Sequence, residues 1–487
     1  MRNDWFGLKT AGFWVAGAMM ALSAAPLAQA QTAPDFTIEG PFLVTDVISE
    51  EAGLAINTTE PEVLFVTYDT INQEGFTDPI TGEVPGFALI GRFFNTETFE
   101  PTSDLFIIFG NPAGSMETLD VRFNPVTQQY VVAGKADGRG TNGANVPLVA
   151  IVNPVSAGGN VVNAFAVEED SDQGFDDVAM AVDSNNGNFL VVAERDFAET
   201  GGEGAVAWLF DAEGNLLTEE FTRIDATLQT ADSWDVDDPD VDFLPNNNVF
   251  LYLHNTDSDT LPNTVTGIVI EPAPTADGAL VFSNEQILSE DRIGSRQGHP
   301  AAIENPYTDE LIGAFDYGNG DDGGDIFFFN VGDAPEYPLT ASRDQIAYLE
   351  ASGNDPINHR HPQLAADSGS GAIILAYNVN SSSTLPGELS DVRGMLFTIL
   401  GADGQPLPGN GDELPGVGPA PTYLLDPEET GFIDNGANFH NVAYDAFTDS
   451  FFVVYATNEQ FTRAARITIN SDHSPESGID NGLWMMY

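Results

Sequence analysis

Three of the six histidines in the chain, His299, His361 and His440, fall at one place in a repeating pattern, and two aspartates share it. Asp177, Asp238, His299 and His361 stand at successive intervals of 61, 61 and 62 residues, with His440 shifted by one from its own repeat position. Asp120 and Asp240 lie within two residues of the same level. Imidazoles and carboxylates that meet at one point can bind a divalent metal, or serve as general acid and base. The same residues also have a structural reading. A His or Asp at the start of a strand can bond the backbone of its neighbour, while Pro239, Pro300 and Pro362 stiffen the approach. Recurrence at equivalent positions is what a structural device produces, because a catalytic site needs a single copy. Both readings stand at this level.

Arg296 and Arg360, with Arg292 and His359, place positive charge beside His299 and His361 in a chain that is otherwise strongly acidic. Such a patch can grip a carboxylate or sulfate through paired N–H donors, or can neutralise Glu290, Asp291 and Asp355. The candidate catalytic set is therefore His299, His361 and His440 with Arg296 and Arg360. Two acidic stretches are candidates for calcium, the one cofactor the sequence suggests. Trp234–Asp242 concentrates five carboxylates, and Asp316–Asp325 mixes Asp316, Asp321 and Asp325 with glycines that permit tight liganding loops. The candidate metal ligands are Asp177, Asp238, Asp316, Asp321 and Asp325. A solvated acidic loop is the alternative for either stretch. No Gly-x-Ser-x-Gly elbow, His-Glu-x-x-His pair, phosphate-binding loop or dinucleotide fingerprint is present.

These residues are positioned by a repeat. Asn441-Val-Ala-Tyr-Asp-Ala-Phe-Thr-Asp-Ser-Phe-Phe-Val-Val-Tyr455 reads as two apolar strands around a polar turn, and the same grammar recurs along the chain. One apolar anchor per copy gives Leu64, Tyr130, Phe189, Phe250, Leu311, Ile373 and Phe451, spaced by 66, 59, 61, 61, 62 and 78 residues. Third and fourth strands follow in most copies, joined by Asp-x-x-Gly or Asp-Gly turns such as Asp211–Gly214. The pattern predicts an all-β, seven-bladed β-propeller with four-stranded antiparallel blades, filling residues 31–487 as one domain. The last copy lacks a fourth strand, and residues 35–44 supply a spare one. The reading is that this N-terminal strand closes the ring by pairing in the last blade, which removes two exposed edges. The copies resemble the degenerate repeats of secreted bacterial propellers, a likeness carried by segments such as Tyr130-Val-Val-Ala133. In size and fold the chain also resembles seven-bladed polysaccharide lyases, which combine His, Tyr and Arg in one site.

The chain has 487 residues, with 15 Lys and Arg against 75 Asp and Glu, a formal charge of −60. That field repels phosphate backbones and anionic lipid heads, so neither nucleic-acid binding nor membrane insertion is expected. With 33 Phe and 42% hydrophobic residues the chain can fill a large core. It has no cysteine, which excludes disulfides, thiolate catalysis and Cys-bound zinc. Residues 1–30 read as a cleaved secretory signal: Arg2 and Lys9, an apolar run from Phe13 to Leu22, then Ala28-Gln29-Ala30. A secreted or periplasmic monomer is expected. Its acidity fits either salty surroundings or a calcium-binding surface. The function expected is that of a binding or scaffold module for an extracellular protein or polysaccharide. The rival is a carbohydrate-active enzyme, lyase or hydrolase, with its site at the axial mouth. The Asn378–Gly387 insertion and the Gly401–Pro421 segment are expected at a rim where partners bind.

Overall fold

The structure is a computed structural model. It describes residues 34–470 apart from 47–50, 70–79, 81–84, 112–113, 141–142, 169–173, 198–201, 219–221, 225–234, 258–263, 284–285, 289–295, 319–323, 334–343, 350–356, 382–393, 403, 410–420, 426–440 and 457–460. The signal-like residues 1–30 and His440 lie outside the described residues, as does Asp321. No helix among the described residues is long and apolar enough to cross a membrane.

The fold is an all-β propeller of four-stranded antiparallel blades. The first strand, β1 (Phe36–Thr45), waits for the end of the chain. β2 (Ala52–Ile56), β3 (Glu62–Asp69), β4 (Phe87–Asn95) and β5 (Phe106–Asn111) make one sheet. β6 (Met116–Asn124), β7 (Gln129–Ala136), β8 (Val146–Val152) and β9 (Val161–Ala166) make the next. Then come β10 (Phe175–Val182), β11 (Phe189–Phe197), β12 (Gly202–Phe210) and β13 (Thr222–Arg223). β14 (Asp235–Leu244), β15 (Val249–Asp257), β16 (Thr264–Ile270) and β17 (Gln286–Ile287) repeat the plan. An eight-stranded sheet follows. It holds β18 (Arg296–Glu304), β19 (Glu310–Gly318), β20 (Gly324–Asp333) and β21 (Asp344–Leu349), then β22 (Ile357–Ala366), β23 (Ile373–Ser381), β24 (Gly394–Leu400) and β25 (Tyr423–Leu424). β26 (Val442–Asp445), β27 (Ser450–Ala456) and β28 (Thr462–Ile469) end the chain, and β1 pairs antiparallel with β28 as their fourth strand.

The hydrogen-bonded sheets among the described residues thus number six, where the repeat predicts seven. The difference has a local cause. A single parallel bridge, Gly324 to Asn358, ties β20 to β22 and fuses two repeat units into one sheet. The expected closing strand is in place: Phe36 stands opposite Ile469 and Ile38 opposite Ile467. Phe36 then meets Phe397 and Tyr423 edge-on, so the spare strand also covers apolar surface of the preceding unit.

Why these residues form hairpins is visible at the turn after each inner strand. Asn57, Asn124, Asp183, Asn305, Asp367 and Asp445 each accept at Oδ1 the N–H two residues on, over 2.6 to 3.1 Å. A short polar side chain that mimics the backbone in this way nucleates the turn. The fifth residue then takes positive φ, as at Gln128, Asp309, Asp449, Gly187 and Gly371. Leu244-Pro245 has no such acceptor. Glu304 of the next inner strand replaces it, accepting from Asn246 N–H at 3.1 Å and Asn247 Nδ2 at 2.8 Å.

Inner strands pack side by side around an axis in a closed circuit, β2–β6–β10–β14–β18–β22–β26 and back to β2. Second strands are the driest: Tyr130, Phe189, Phe250, Ile373 and Tyr455 are fully buried. Apolar layers join successive units, for instance Ala179, Leu190 and Leu209 against Val236, Phe250 and Tyr252. Each such side chain larger than alanine contributes about 1.5–3 kcal/mol on burial. A thin sheet with two apolar faces can satisfy both only by stacking on its neighbours, so the ring is a consequence of the alternation.

Candidate functional site

The axis has two ends, one where the inner strands begin (the leading end) and one where they turn (the turn end). Sequence reasoning places Asp177, Asp238, His299 and His361 just before the inner strands. In the structure they lie within them, at bulges. Pairing is broken between Phe175 and Val178, Asp237 and Asp240, Gly298 and Ala301, and Arg360 and Gln363, and resumes on either side. Asp238, His299 and His361 sit there at φ of 54°, 46° and 55°, and Thr118 takes the same position in β6 at 46°. A bulge inserts one residue and re-aims its side chain, here toward the neighbouring unit.

A second ring, missed from sequence, faces this one from the second strands. Lys135, Glu194, Asn255, Asp316 and Asn378 occur at intervals of 59, 61, 61 and 62 residues, the same intervals that separate Thr118, Asp177, Asp238, His299 and His361. Equal spacing in both series was the available signal.

His299 is held where the two rings meet. Its Nε2 lies 3.0 Å from Asp238 Oδ1 and its Nδ1 2.6 Å from Asp316 Oδ2. Its backbone N–H donates to Asp238 Oδ2 at 3.1 Å, and Asn255 Nδ2 donates to the same oxygen at 2.9 Å. The N–H of His361 donates to Asp316 Oδ2 at 3.3 Å, and the two imidazoles approach to 3.6 Å between ring centres. Burial works against charge on His299, but Asp238 and Asp316 outweigh it and raise its pKa well above 6.5. Burial also opposes charge on both aspartates, and the imidazolium overrides it, holding both carboxyls below the usual range. With both ring nitrogens engaged by carboxylates, His299 is a clamped cation and has no nitrogen open to take a proton from a substrate.

The remaining expected residues divide. Asp316 belongs to strand β19 and partners His299; it does not share a liganding loop with Asp325, whose backbone lies in β20 opposite Tyr317. Residues 235–242 of the acidic stretch are inner strand, β14, and not loop. Arg296 and Arg360 lie in β18 and β22, opposite Gly318 and Asn378, and their side chains are outside the described residues. Asp177 accepts from Thr118 Oγ1 at 2.7 Å and stands near Glu194 and Asp237. Burial, then the charge of Asp238, raises the Asp177 pKa to about 6.

A cavity of about 410 Å³ occupies the turn end. Ile56, Phe243, Ile303, Leu364 and Val442 give it apolar walls, and Tyr444 near the end of β26 and Phe447 in the turn after it stand on one side. Arg122 crosses the floor: Nε donates to the Met180 carbonyl at 3.0 Å, Nη2 to the Val241 carbonyl at 2.8 Å, and Nη1 pairs with Asp242 at 2.9 Å. One side chain thereby ties three inner strands together. Asp242, Glu304 and Asp445 supply carboxylates around it.

No protein-family model matches the chain, and no curated protein does. Among solved structures it is similar to a Hadza microbial sialidase, with a TM-score of 0.41, 9% identity, and coverage of 90% of this chain and 98% of that one. It is also similar to the GH93 alpha-L-arabinofuranosidase of Fusarium graminearum, with a TM-score of 0.42, 10% identity, and coverage of 77% and 99%. A subtype N11 neuraminidase-like protein of a flat-faced bat virus (H18N11) gives 0.40, 10%, 78% and 96%. These likenesses transfer no residue role to this chain.

Proposed function

We propose that the protein is an extracytoplasmic binding module that takes the end of a neutral saccharide into the axial cavity at the turn end. The observation that carries this reading is the contrast between the two ends of the axis. At the leading end His299 is spent on two buried carboxylates. At the turn end a cavity stays open, of a size within the range of about 300–1,000 Å³ usual for small-ligand sites. Its apolar walls suit the C–H faces of a sugar ring, and the exposed Phe447 offers an aromatic surface at the rim. Asp242, Glu304 and Asp445 offer acceptors for hydroxyls, while the surplus of carboxylates over Arg122 disfavours acidic sugars. The leader-like residues 1–30 fit export. The eight-stranded sheet acts as two blades, seven in all. One parallel bridge joins its halves, and Ile312 and Ala314 pack on Leu364, Ile373 and Leu375 as any blade packs on the next.

The test is calorimetric titration of purified protein with neutral oligosaccharides, beside Phe447→Ala. Saturable binding that weakens at least tenfold in the variant is expected, with the sugar recovered intact. Absence of binding across the panel, or binding indifferent to Phe447, would refute the reading. Chain shortening or an unsaturated product abolished by a His299 variant would establish the enzyme instead.

A further inference from the structure

We propose that Asp177, Glu194 and Asp237 bind one calcium ion between two neighbouring blades at the leading end of the axis. Asp177 lies on β10, Glu194 on β11 and Asp237 on β14, so the trio spans two sheets that share no ladder. One carboxylate oxygen from each comes within 4.8 Å of the others. Two oxygens bound to one Ca²⁺ at about 2.3–2.6 Å can be up to about 4.6–5.2 Å apart, so the three fit around one ion.

Glu194 gives an independent reason. It is 3% exposed, and its Oε1 is buried without a hydrogen-bond partner. A buried carboxylate oxygen left unsatisfied is costly, and such groups are normally paired or coordinated to a metal. Four neighbouring carboxylates, Asp177, Asp237, Asp238 and Asp176, add their charge to the same place. Asp238 is neutralised by His299, and Lys135, the nearest lysine, is engaged by Asp176 at 2.5 Å. Thr118 fixes Asp177 by donating to Oδ1, which keeps that carboxylate turned toward its neighbours.

The donor set is all carboxylate oxygen, with neither thiolate nor imidazole among the three, and this is the chemistry of a hard cation. Calcium is favoured over magnesium because it accepts irregular shells of several carboxylates, whereas magnesium demands a near-octahedral shell and retains water. Asp177 was among the metal ligands expected from sequence, and Asp237 lies in the acidic stretch Trp234–Asp242 expected to favour calcium; Glu194 was not singled out. The site is distinct from the cavity at the turn end, and it stands whether or not that cavity takes a saccharide.

The experiment is calorimetric titration of the full chain with CaCl₂ after chelator treatment, with Glu194→Gln and Asp237→Asn alongside and a thermal melt of each. Wild-type protein is expected to bind calcium and to melt higher with it, and more so than with equal magnesium. Each variant is expected to lose one bound ion or at least tenfold in affinity. Without calcium, Glu194→Gln should melt no lower than wild type, since the near-isosteric amide keeps the side chain's shape and takes an acid away from the carboxylates around it. That last readout separates loss of a ligand from loss of fold. Calcium binding that persists unchanged in both variants, or no binding by wild type at millimolar calcium, would overturn the proposal.

Discussion

Replacing His299 by Asn isolates the charge in the clamp. Asn tolerates the left-handed backbone that His299 adopts, at φ 46°, so the substitution adds little strain. What it removes is the cation between Asp238 and Asp316, each 8% exposed, leaving Asp238 with Asn255, Asp316 with the His361 N–H, and no ion pair to His299. Breaking a buried ion pair from one side costs about 3–5 kcal/mol. The pH dependence follows from the direction of each shift. His299 is raised, so its contribution is complete below about pH 6.5 and is lost as pH climbs through the higher folded value. Asp238 and Asp316 are lowered, so theirs is complete above about pH 4 and is lost as pH falls through the lower folded values. Urea unfolding from about pH 4 to about pH 9 should therefore show the largest wild-type advantage between about pH 4 and 6.5, shrinking on the alkaline side. Adding Asp316→Asn to the variant removes one orphaned charge and should recover part of the loss, a non-additive result. A cost under about 1 kcal/mol at all pH values, or strictly additive variants, would show that the clamp is not a buried ion cluster.

Other substitutions probe the frame. Tyr130→Phe removes the donor at 3.0 Å to Glu62 Oε1, a buried bond between successive blades, and should cost about 1.5–3 kcal/mol in urea unfolding. Gly298→Ala would place a methyl 2.7 Å from Asp238 Oδ2 and 3.2 Å from Asp316 Oδ1. It should destabilise by about 1–3 kcal/mol and bring the His299 pKa down toward 6.5, as read by NMR. Deleting residues 31–46 removes β1, bares the edge of β28 and strips Phe36 from Phe397 and Tyr423. A lower melting temperature and new oligomers on gel filtration are expected.

The repeat was legible because each unit carries its own local instructions. An Asx acceptor, a turn and an apolar second strand recur at nearly fixed spacing, so hairpins and closing strand follow from the residues alone. The leading-end ring was legible in part. Equivalent register implied that Asp177, Asp238, His299 and His361 share a level, but not that they sit at bulges, since a bulge depends on what the partner strand does. Glu194 escaped notice, and Asp316 was read as a loop ligand for calcium and not as the partner of His299, because both lie on second strands, where an acidic residue inside an apolar run looks like its exposed edge. The turn-end cavity left no trace in the sequence. Its lining comes from six inner strands, and Ile56, Ile303 and Leu364 read as ordinary strand residues. The sheet count differed through one bridge, at Gly324 and Asn358, that no periodicity encodes.

The assignment of the leading end as a clamped structural ring decides whether His299 is available as a base, and the ionisation of His299 tests it most directly. With histidine labelled at both ring nitrogens, and His299 assigned through His299→Asn, NMR spectra would be collected from about pH 5 to about pH 9. Both ring nitrogens should remain protonated, with shifts unchanged through neutrality, because Asp238 and Asp316 hold the cation in place. A midpoint near 6.5, or a neutral ring with one open nitrogen at neutral pH, would contradict the account and return His299 to the list of candidate bases.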